Sequence, residues 1–470
     1  MKVEQIYTGC IAHAAYYVEN NGEAAIFDPL REVQPYIDRA VKDNARIKYV
    51  FETHFHADFV SGHLDLHKKS GATIVYGPGA TPSYEAVVAH DGQVFRIGDY
   101  KIVAIHTPGH TMESTTYLLV DENNKEHGII SGDTLFIGDV GRPDLAQHVV
   151  AELTEDKLAR HLYKSLREKI MPLGDDLVVY PNHGAGSACG KMMSKETTDT
   201  LGHQKKVNYA LQPMSEDEFV KAILTGLTPP PGYFPKNVLM NIKGYESLDT
   251  VMERGHKPLD PDAFEFMANE TRALILDTRP AAEFAKVFIP NSISIGLEGN
   301  FAQMVGELVT DINQEILIVA EEGKEEESII RLSRVGYDHA IGYLQGGFEA
   351  WKNRGKETDM IHRITAQALE TQLRSGELLL VDVRKKSEYD TEHVIGAVNM
   401  PLHLLNSHLA ELPKEKPFVI HCAGGYRSII AGSILKQRGW DNFADVVGGY
   451  KEIAKTSVSR SDYVCPTTML

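Results

Sequence analysis

The sequence holds 470 residues, 43% of them apolar, and its 48 Lys and Arg against 65 Asp and Glu leave a net charge of -17. That length makes about three domains of ordinary size, and the negative balance argues against nucleic acid or an anionic membrane surface as a partner. No apolar run approaches the roughly 20 residues that span a bilayer, no signal-peptide pattern opens the chain, and four scattered cysteines (Cys10, Cys189, Cys422, Cys465) fit a reducing cytoplasm better than a disulfide framework.

Apolar patterning predicts strands over 3–8, 14–19 and 24–27, the last ending in the turn Asp28-Pro29. A helix is expected around 32–43. The next strand, 47–51, runs into Thr53-His54-Phe55-His56-Ala57-Asp58-Phe59. A strand sends alternate side chains to one face, so a turn at its tip can aim His54, His56 and Asp58 at one point. Imidazoles and a carboxylate at that spacing suit a borderline transition metal. Strands at 72–76, 101–105, 116–120, 128–133 and 177–180 follow. Three of them deliver His110, Asp133 and His183 at or just beyond their ends. Helices are expected around 58–69, 155–170 and 196–225. The alternation suggests a sandwich of sheets covered by helices.

Thr228-Pro229-Pro230-Pro231-Gly232 reads as a boundary region, with a tail to about Leu248. Beyond it lies an internal repeat. Leu276-Asp277-Thr278-Arg279 matches Val381-Asp382-Val383-Arg384, and Gly346-Gly347-Phe348 matches Gly448-Gly449-Tyr450. Each unit reads as an α/β module with a parallel sheet. The expected segments are 1–245, 257–358 and 361–470. Asp277 and Asp382, with their Arg partners, read as structural pairs.

The ordered set His54, His56, Asp58, His110, Asp133 and His183 resembles the metallo-β-lactamase signature over about residues 1–245. The resemblance implies an αββα sandwich. Hydrolytic members often hold two metals, the second on an Asp-His pair plus the last His, with the Asp at position 133 as bridge. Here the His of that pair is Phe59, which cannot ligate and whose ring excludes water. One metal is therefore expected rather than two. With such ligands it is either Zn²⁺ activating water or non-haem Fe(II) on two His and one carboxylate.

Persulfide dioxygenases are the branch of this fold without the second site. Similarity to them implies a mononuclear Fe(II) held by His54, His110 and Asp133, with His56, Asp58 and His183 orienting ligands or waters. It also implies that Arg142 holds the carboxylates of a thiol-peptide substrate. A structural pair with Asp144 is the other reading of Arg142. After His183, Gly184-Ala185-Gly186-Ser187-Ala188-Cys189-Gly190 replaces the Asp-Tyr pair of animal and plant members. Cys189 on that loop reads as a sulfur acceptor or relay at the substrate, or as a small buried apolar residue.

The apolar strand 418–421 runs into Cys422-Ala423-Gly424-Gly425-Tyr426-Arg427-Ser428 and a helix over 429–437. A thiol at a strand-to-helix junction meets backbone N–H groups and the positive helix end, which favour the thiolate. Gly424 and Gly425 let the loop curl around a bound group, and Arg427 adds a cation. The loop resembles that of rhodanese sulfurtransferases, which implies that Cys422 carries sulfur. The first repeat reads Val319-Ala320-Glu321-Glu322-Gly323-Lys324 at this place, so a module without transfer activity is expected there.

The three-part arrangement resembles bacterial persulfide dioxygenase–sulfurtransferase fusions that detoxify sulfide. It implies that a low-molecular-weight persulfide is oxidised by O₂ to sulfite, with thiosulfate made or used at Cys422. The alternatives are a Zn-dependent thioester hydrolase of the glyoxalase II type and a sulfur-carrier or sensor scaffold. A homo-oligomer is compatible with the composition.

Overall fold

In a computed structural model of the chain, residues 2–145, 154–227, 229–374, 376 and 378–465 are described. Thr228, at the head of the expected boundary, lies outside them. The chain divides into one compact unit of Met1–Thr250 with Ile330–Asp338, and another of Val251–Ile329 with His339–Leu470.

The first unit is built on two six-stranded sheets. One runs in chain order through β1 (Lys2–Thr8), β2 (His13–Asn20), β3 (Glu23–Phe27), β4 (Arg46–Phe51), β5 (Thr73–Tyr76) and β6 (Val87–Val88). The other runs from β7 (Val94–Ile97) through β8 (Tyr100–His106), β9 (Thr115–Val120), β10 (Glu126–Gly132) and β11 (Val178–Pro181) to β12 (Asp199–Thr200). The central strands are buried on both faces, and their period of two sorts side chains between two cores. Tyr16, Phe27 and Phe51 meet Phe95, Ile102, Tyr117 and Leu119 between the sheets. Tyr17, Ile26 and Val50 on one outer face pack with Tyr36 and Leu66, from the helices Gln34–Lys42 and His63–Ser70. Leu118 and Ile129 on the other outer face pack with Leu162 and Phe219, from Glu155–Lys164 and Glu216–Leu224. This is the αββα sandwich that the sequence implied.

Two helices differ from expectation. The one expected over 58–69 starts only at His63, because 58–62 is spent on a buried loop whose backbone bonds to side chains, Ser61 N–H to Asn241 Oδ1 among them. The one expected over 196–225 is broken. Leu201–Val207 ends at Asn208, and Glu216–Leu224 begins afresh at a capping box of Ser215 and Glu218. Pro213 lies in the gap, where it can neither donate a helical hydrogen bond nor let its predecessor stay helical.

The second unit holds two five-stranded parallel sheets of identical order. The first is β13 (Pro258–Leu259), β17 (Ala340–Leu344), β16 (Ile316–Val319), β14 (Leu274–Asp277) and β15 (Ile293–Ser294). The second is β18 (Arg363–Ile364), β22 (Phe443–Val446), β21 (Phe418–His421), β19 (Leu379–Asp382) and β20 (Val398–Asn399). The Asp–Arg pairs recur atom for atom. Arg279 Nη2 lies 2.6 Å from Asp277 and its guanidinium 4.1 Å from the Phe348 ring centroid. Arg384 Nη2 lies 2.6 Å from Asp382 and its guanidinium 4.0 Å from the Tyr450 ring centroid. These contacts tie the end of one strand to the Gly-Gly-aromatic turn.

Arg384→Ala leaves the Asp382 carboxylate buried and unpaired, so denaturant unfolding of the second unit is expected to lose about 3–5 kcal/mol. Asp445, on β22, gives a pH-dependent counterpart. Burial raises its carboxyl to about 6, against the opposing effects of Ser428 and Arg363. The folded state then binds the proton more tightly than the unfolded one, so stability falls as pH rises from about 4 to about 6 and is flat above. Asp445→Asn is expected to remove that fall, about 3 kcal/mol at about 1.4 kcal/mol per unit, as read from unfolding midpoints across the pH range.

Candidate metal centre and thiolate loop

The metal-competent residues of the first unit come from separate chain ends that the two sheets bring together. His54, His56 and Asp58 follow β4, His110 follows β8, Asp133 follows β10 and His183 follows β11. Donor atoms of His54, His110 and Asp133 all lie within 4.8 Å of one another, and all three residues are buried. His54 Nε2 is 3.9 Å and His110 Nε2 3.4 Å from Asp133 Oδ2. His183 Nε2 is 3.6 Å from the other oxygen, Oδ1.

Hydrogen bonds on the far side of each ring set its tautomer. The Thr53 hydroxyl lies 3.2 Å from Asp28 Oδ1 and accepts from Asn182 Nδ2. Its proton goes to the carboxylate, so it accepts from His54 Nδ1–H at 3.0 Å. His110 Nδ1–H donates to the Arg142 carbonyl at 2.9 Å, and His183 Nδ1–H to the Ala12 carbonyl at 3.2 Å. All three rings therefore turn Nε2 toward Asp133. Burial, with His56 and His110 beside it, also holds His54 well below the usual histidine range. Among the described residues neither Asp133 carboxylate oxygen has a hydrogen-bond partner. Imidazole Nε2 atoms facing such a buried carboxylate fit a cation, which would be held by His54, His110 and Asp133.

His56 behaves differently. Its Nε2 lies 2.9 Å from Asp28 Oδ1 and 3.3 Å from Glu52 Oε2, inside a buried network that sequence reasoning missed. Burial works against the protonated ring, but Asp28 and Glu52 raise it well above the usual histidine range. The only trace of this network in the sequence was Asp28 at the end of its strand. Phe59 is fully buried between His13 and His56, with ring centroids 4.3 Å from each.

Arg142 N–H donates to the Cys189 carbonyl, while its guanidinium lies 2.7 and 2.6 Å from the two oxygens of Asp144. The pair with Asp144 that the sequence offered as one reading of Arg142 is present, and the Arg142 carbonyl orients His110. Cys189 is buried, and Asp58, His183 and Cys189 form a second group of donors within 4.8 Å. Burial, with Asp58 and Asp133 beside it, pushes the Cys189 thiol well up.

In the second unit Cys422 follows β21 directly and is buried. Gly425 N–H donates to its Sγ at 3.1 Å, and the helix Tyr426–Gln437 begins at the next residue. Gly425 sits at φ +102, which allows the curl. A Cβ on Gly449 would lie 2.3 Å from the Cys422 carbonyl oxygen, so the neighbouring turn approaches the loop backbone directly. Arg427 is paired with Glu388, at 2.5 and 2.8 Å, so its cation reaches the loop already half neutralised. In the first repeat Ala320 follows β16 and is buried where Cys422 stands in the second.

A model of the metallo-beta-lactamase superfamily matches residues 8–183, and one of the rhodanese-like domain matches 260–354 and 365–456. A probable hydroxyacylglutathione hydrolase of Schizosaccharomyces pombe is 30% identical over 189 residues, which is 39% of this chain and 68% of that protein. The chain belongs to the metallo-beta-lactamase superfamily. Its lactamase-type domain is followed by two rhodanese-like domains. That first domain is also 29% identical over 205 residues to the mitochondrial persulfide dioxygenase ETHE1 of Homo sapiens, across 42% of this chain and 70% of that one. A crystal structure of a metallo-beta-lactamase from Staphylococcus aureus subsp. aureus COL matches with a TM-score of 0.63 at 30% identity, covering 73% of this chain and 98% of that one. No helix among the described residues is long and apolar enough to cross a membrane.

Thr53→Val keeps the shape of the side chain but removes the acceptor of His54 Nδ1–H. Losing such a partner weakens metal binding by about 10–100-fold. That shift is expected in a chelator competition, with the circular dichroism spectrum unchanged.

Proposed function

We propose that this protein oxidises a low-molecular-weight persulfide with O₂ and transfers sulfane sulfur through Cys422. The observation that carries the reading is the donor set of two imidazoles and one carboxylate oxygen, from His54, His110 and Asp133. Such a set leaves further positions open and suits mononuclear Fe(II). Iron supplies the one-electron chemistry that lets O₂ react with a closed-shell sulfur compound. The chain supplies the rest. It turns each Nε2 to the site through the Nδ1 hydrogen bonds to Thr53 and the Arg142 carbonyl, and buries the donor residues. In the overall reaction RSSH, O₂ and water give RSH and sulfite with two protons, and four electrons pass from the sulfane sulfur to O₂.

Cys422 acts on the same class of sulfur. Its thiolate attacks the outer sulfur of thiosulfate and expels sulfite, leaving a Cys422 persulfide stabilised by the Gly425 N–H and the helix start, with Arg427 nearby. The reverse step returns thiosulfate. We assign these roles to segments 1–245 and 361–470, with 257–358 inactive because Ala320 has no thiol. A reducing cytoplasm, in which the cysteines stay thiols, suits this chemistry.

A second reading, a Zn-dependent thioester hydrolase, is favoured by the 30% identity to a probable hydroxyacylglutathione hydrolase. Metal content and oxygen uptake separate the two. One equivalent of iron is expected, with O₂ consumed only when a persulfide is added. Zinc with thioester cleavage and no O₂ uptake sinks the proposal. Cys422→Ser is expected to abolish sulfur transfer while leaving O₂ uptake within about twofold, and loss of both contradicts the division of labour.

A further inference from the structure

The first rhodanese-like repeat has Ala320 where the other has Cys422, yet part of it is built into the unit that holds the metal-competent cluster. Residues Ile330–Asp338 fall within the match at 260–354 and belong to the compact unit of Met1–Thr250. They are the end of the helix Glu325–Arg334 and the turn that follows it. Two ion pairs fasten this segment. Arg31 is fully buried, and its Nη1 and Nη2 lie 2.6 and 2.8 Å from the two oxygens of Asp338. The same guanidinium donates to the Ser333 carbonyl at 2.9 Å and to the Glu246 carbonyl at 2.7 Å. Its carbon lies 4.7 Å from the centroid of the Tyr245 ring. Only a planar fork meets so many acceptors at once. Arg334 pairs with Glu32 and donates to Cys10 Sγ at 3.2 Å.

The segment also touches the metal loop directly. Val60 is fully buried, so its N–H has to find a partner inside the protein. That partner is the Arg334 carbonyl, at 2.7 Å. Val60 follows Phe59, whose ring stacks on His56. Asn241 Nδ2 donates to the carbonyls of His56 and Phe59, at 2.8 and 2.9 Å, and the Tyr245 hydroxyl donates to the Ser61 carbonyl. Tyr245 is the ring against which Arg31 lies. Arg31 and Glu32, in turn, stand on the stretch after β3 that begins with Asp28, the acid that takes the Thr53 N–H and His56. The segment 330–338 therefore grips both the stretch 28–32 and the loop 56–61.

We propose that Ser333, Arg334 and Asp338 of the thiol-less repeat are positioning residues for the centre at His54, His110 and Asp133. None of them touches a ligand-bearing side chain of that centre. They act at one remove, through Val60 on the loop that carries His54, and through Arg31 on the stretch that carries Asp28. Asp28 holds Thr53, and Thr53 holds the His54 ring. A shift of either stretch turns the His54 Nε2 away from Asp133, and groups that orient a ligand in this way set metal affinity. The repeat without a thiol thus serves the chemistry of the first unit. The inference goes beyond the proposed oxidation and rests only on a cation at that centre, whichever metal it is.

The test uses the full chain, stripped of metal and titrated with Co²⁺. Arg31→Met combined with Asp338→Leu exchanges the buried pair for apolar side chains, an exchange that usually spares stability because neither charge is left without the other. This variant is expected to unfold at the denaturant midpoint of the parent and to keep the alkylation rate of Cys422 within about twofold. Its Co²⁺ affinity is expected to fall about tenfold, with a changed visible absorption band of the bound ion. In the metal-free protein, amide hydrogen exchange over 56–61 is expected to quicken by about tenfold, a local opening that a role in global stability would not produce at an unchanged midpoint. Arg31→Lys keeps the charge without the fork and serves if the double variant fails to fold. It is expected to weaken Co²⁺ by about threefold with the same change in exchange. Co²⁺ affinity equal to the parent's in either folded variant overturns the proposal. So does weakened binding with unchanged exchange over 56–61, whatever oxygen uptake shows.

Discussion

The first unit is organised around one buried carboxylate that the protein itself does not satisfy. Among the described residues Asp133 has no hydrogen-bond partner on either oxygen, yet imidazole nitrogens approach both of them. Burying an ionised carboxylate in that state costs several kcal/mol unless a positive charge is supplied. The surrounding chain is shaped to keep the carboxylate in place. Gly132 adopts φ +54, and a Cβ there would lie 2.7 Å from Thr53. The strand tip can therefore press against the loop that carries His54, which keeps the Asp133 carboxylate among the imidazoles.

A second carboxylate, Asp28, secures the loop from the opposite side. Its Oδ1 receives the Thr53 N–H, the Thr53 hydroxyl and His56 Nε2. Thr53 thus links the two acids, since the hydroxyl that donates to Asp28 accepts from His54. The two acids share this frame but not their partners. Asp28 Oδ1 takes three protein donors, whereas neither oxygen of Asp133 has one among the described residues.

The rhodanese-like domains show the converse arrangement, a common frame carrying different chemistry. Both repeats keep the buried Arg–Asp pair and the Gly-Gly-aromatic turn that crosses the loop. The loop then bears Cys422 in one and Ala320 in the other. The frame is a matter of packing and charge satisfaction and survives without the thiol.

The sandwich, the repeat and the ends of the ligand-bearing strands were legible in the sequence because each is a local pattern. Strand 47–51 announces itself by an apolar run, and Asp-x-Arg recurs beside matching strands. The set of His54, His110 and Asp133 was reachable only through resemblance, since nothing local says which donors meet. What the tertiary structure alone decided are the pairings between distant positions. Glu388 shares the charge of Arg427, and Asp28 takes up His56. Cys189 likewise meets Asp58 from a loop far along the chain, which a motif cannot record because it holds only its own neighbours and only the packing of two sheets brings the two together.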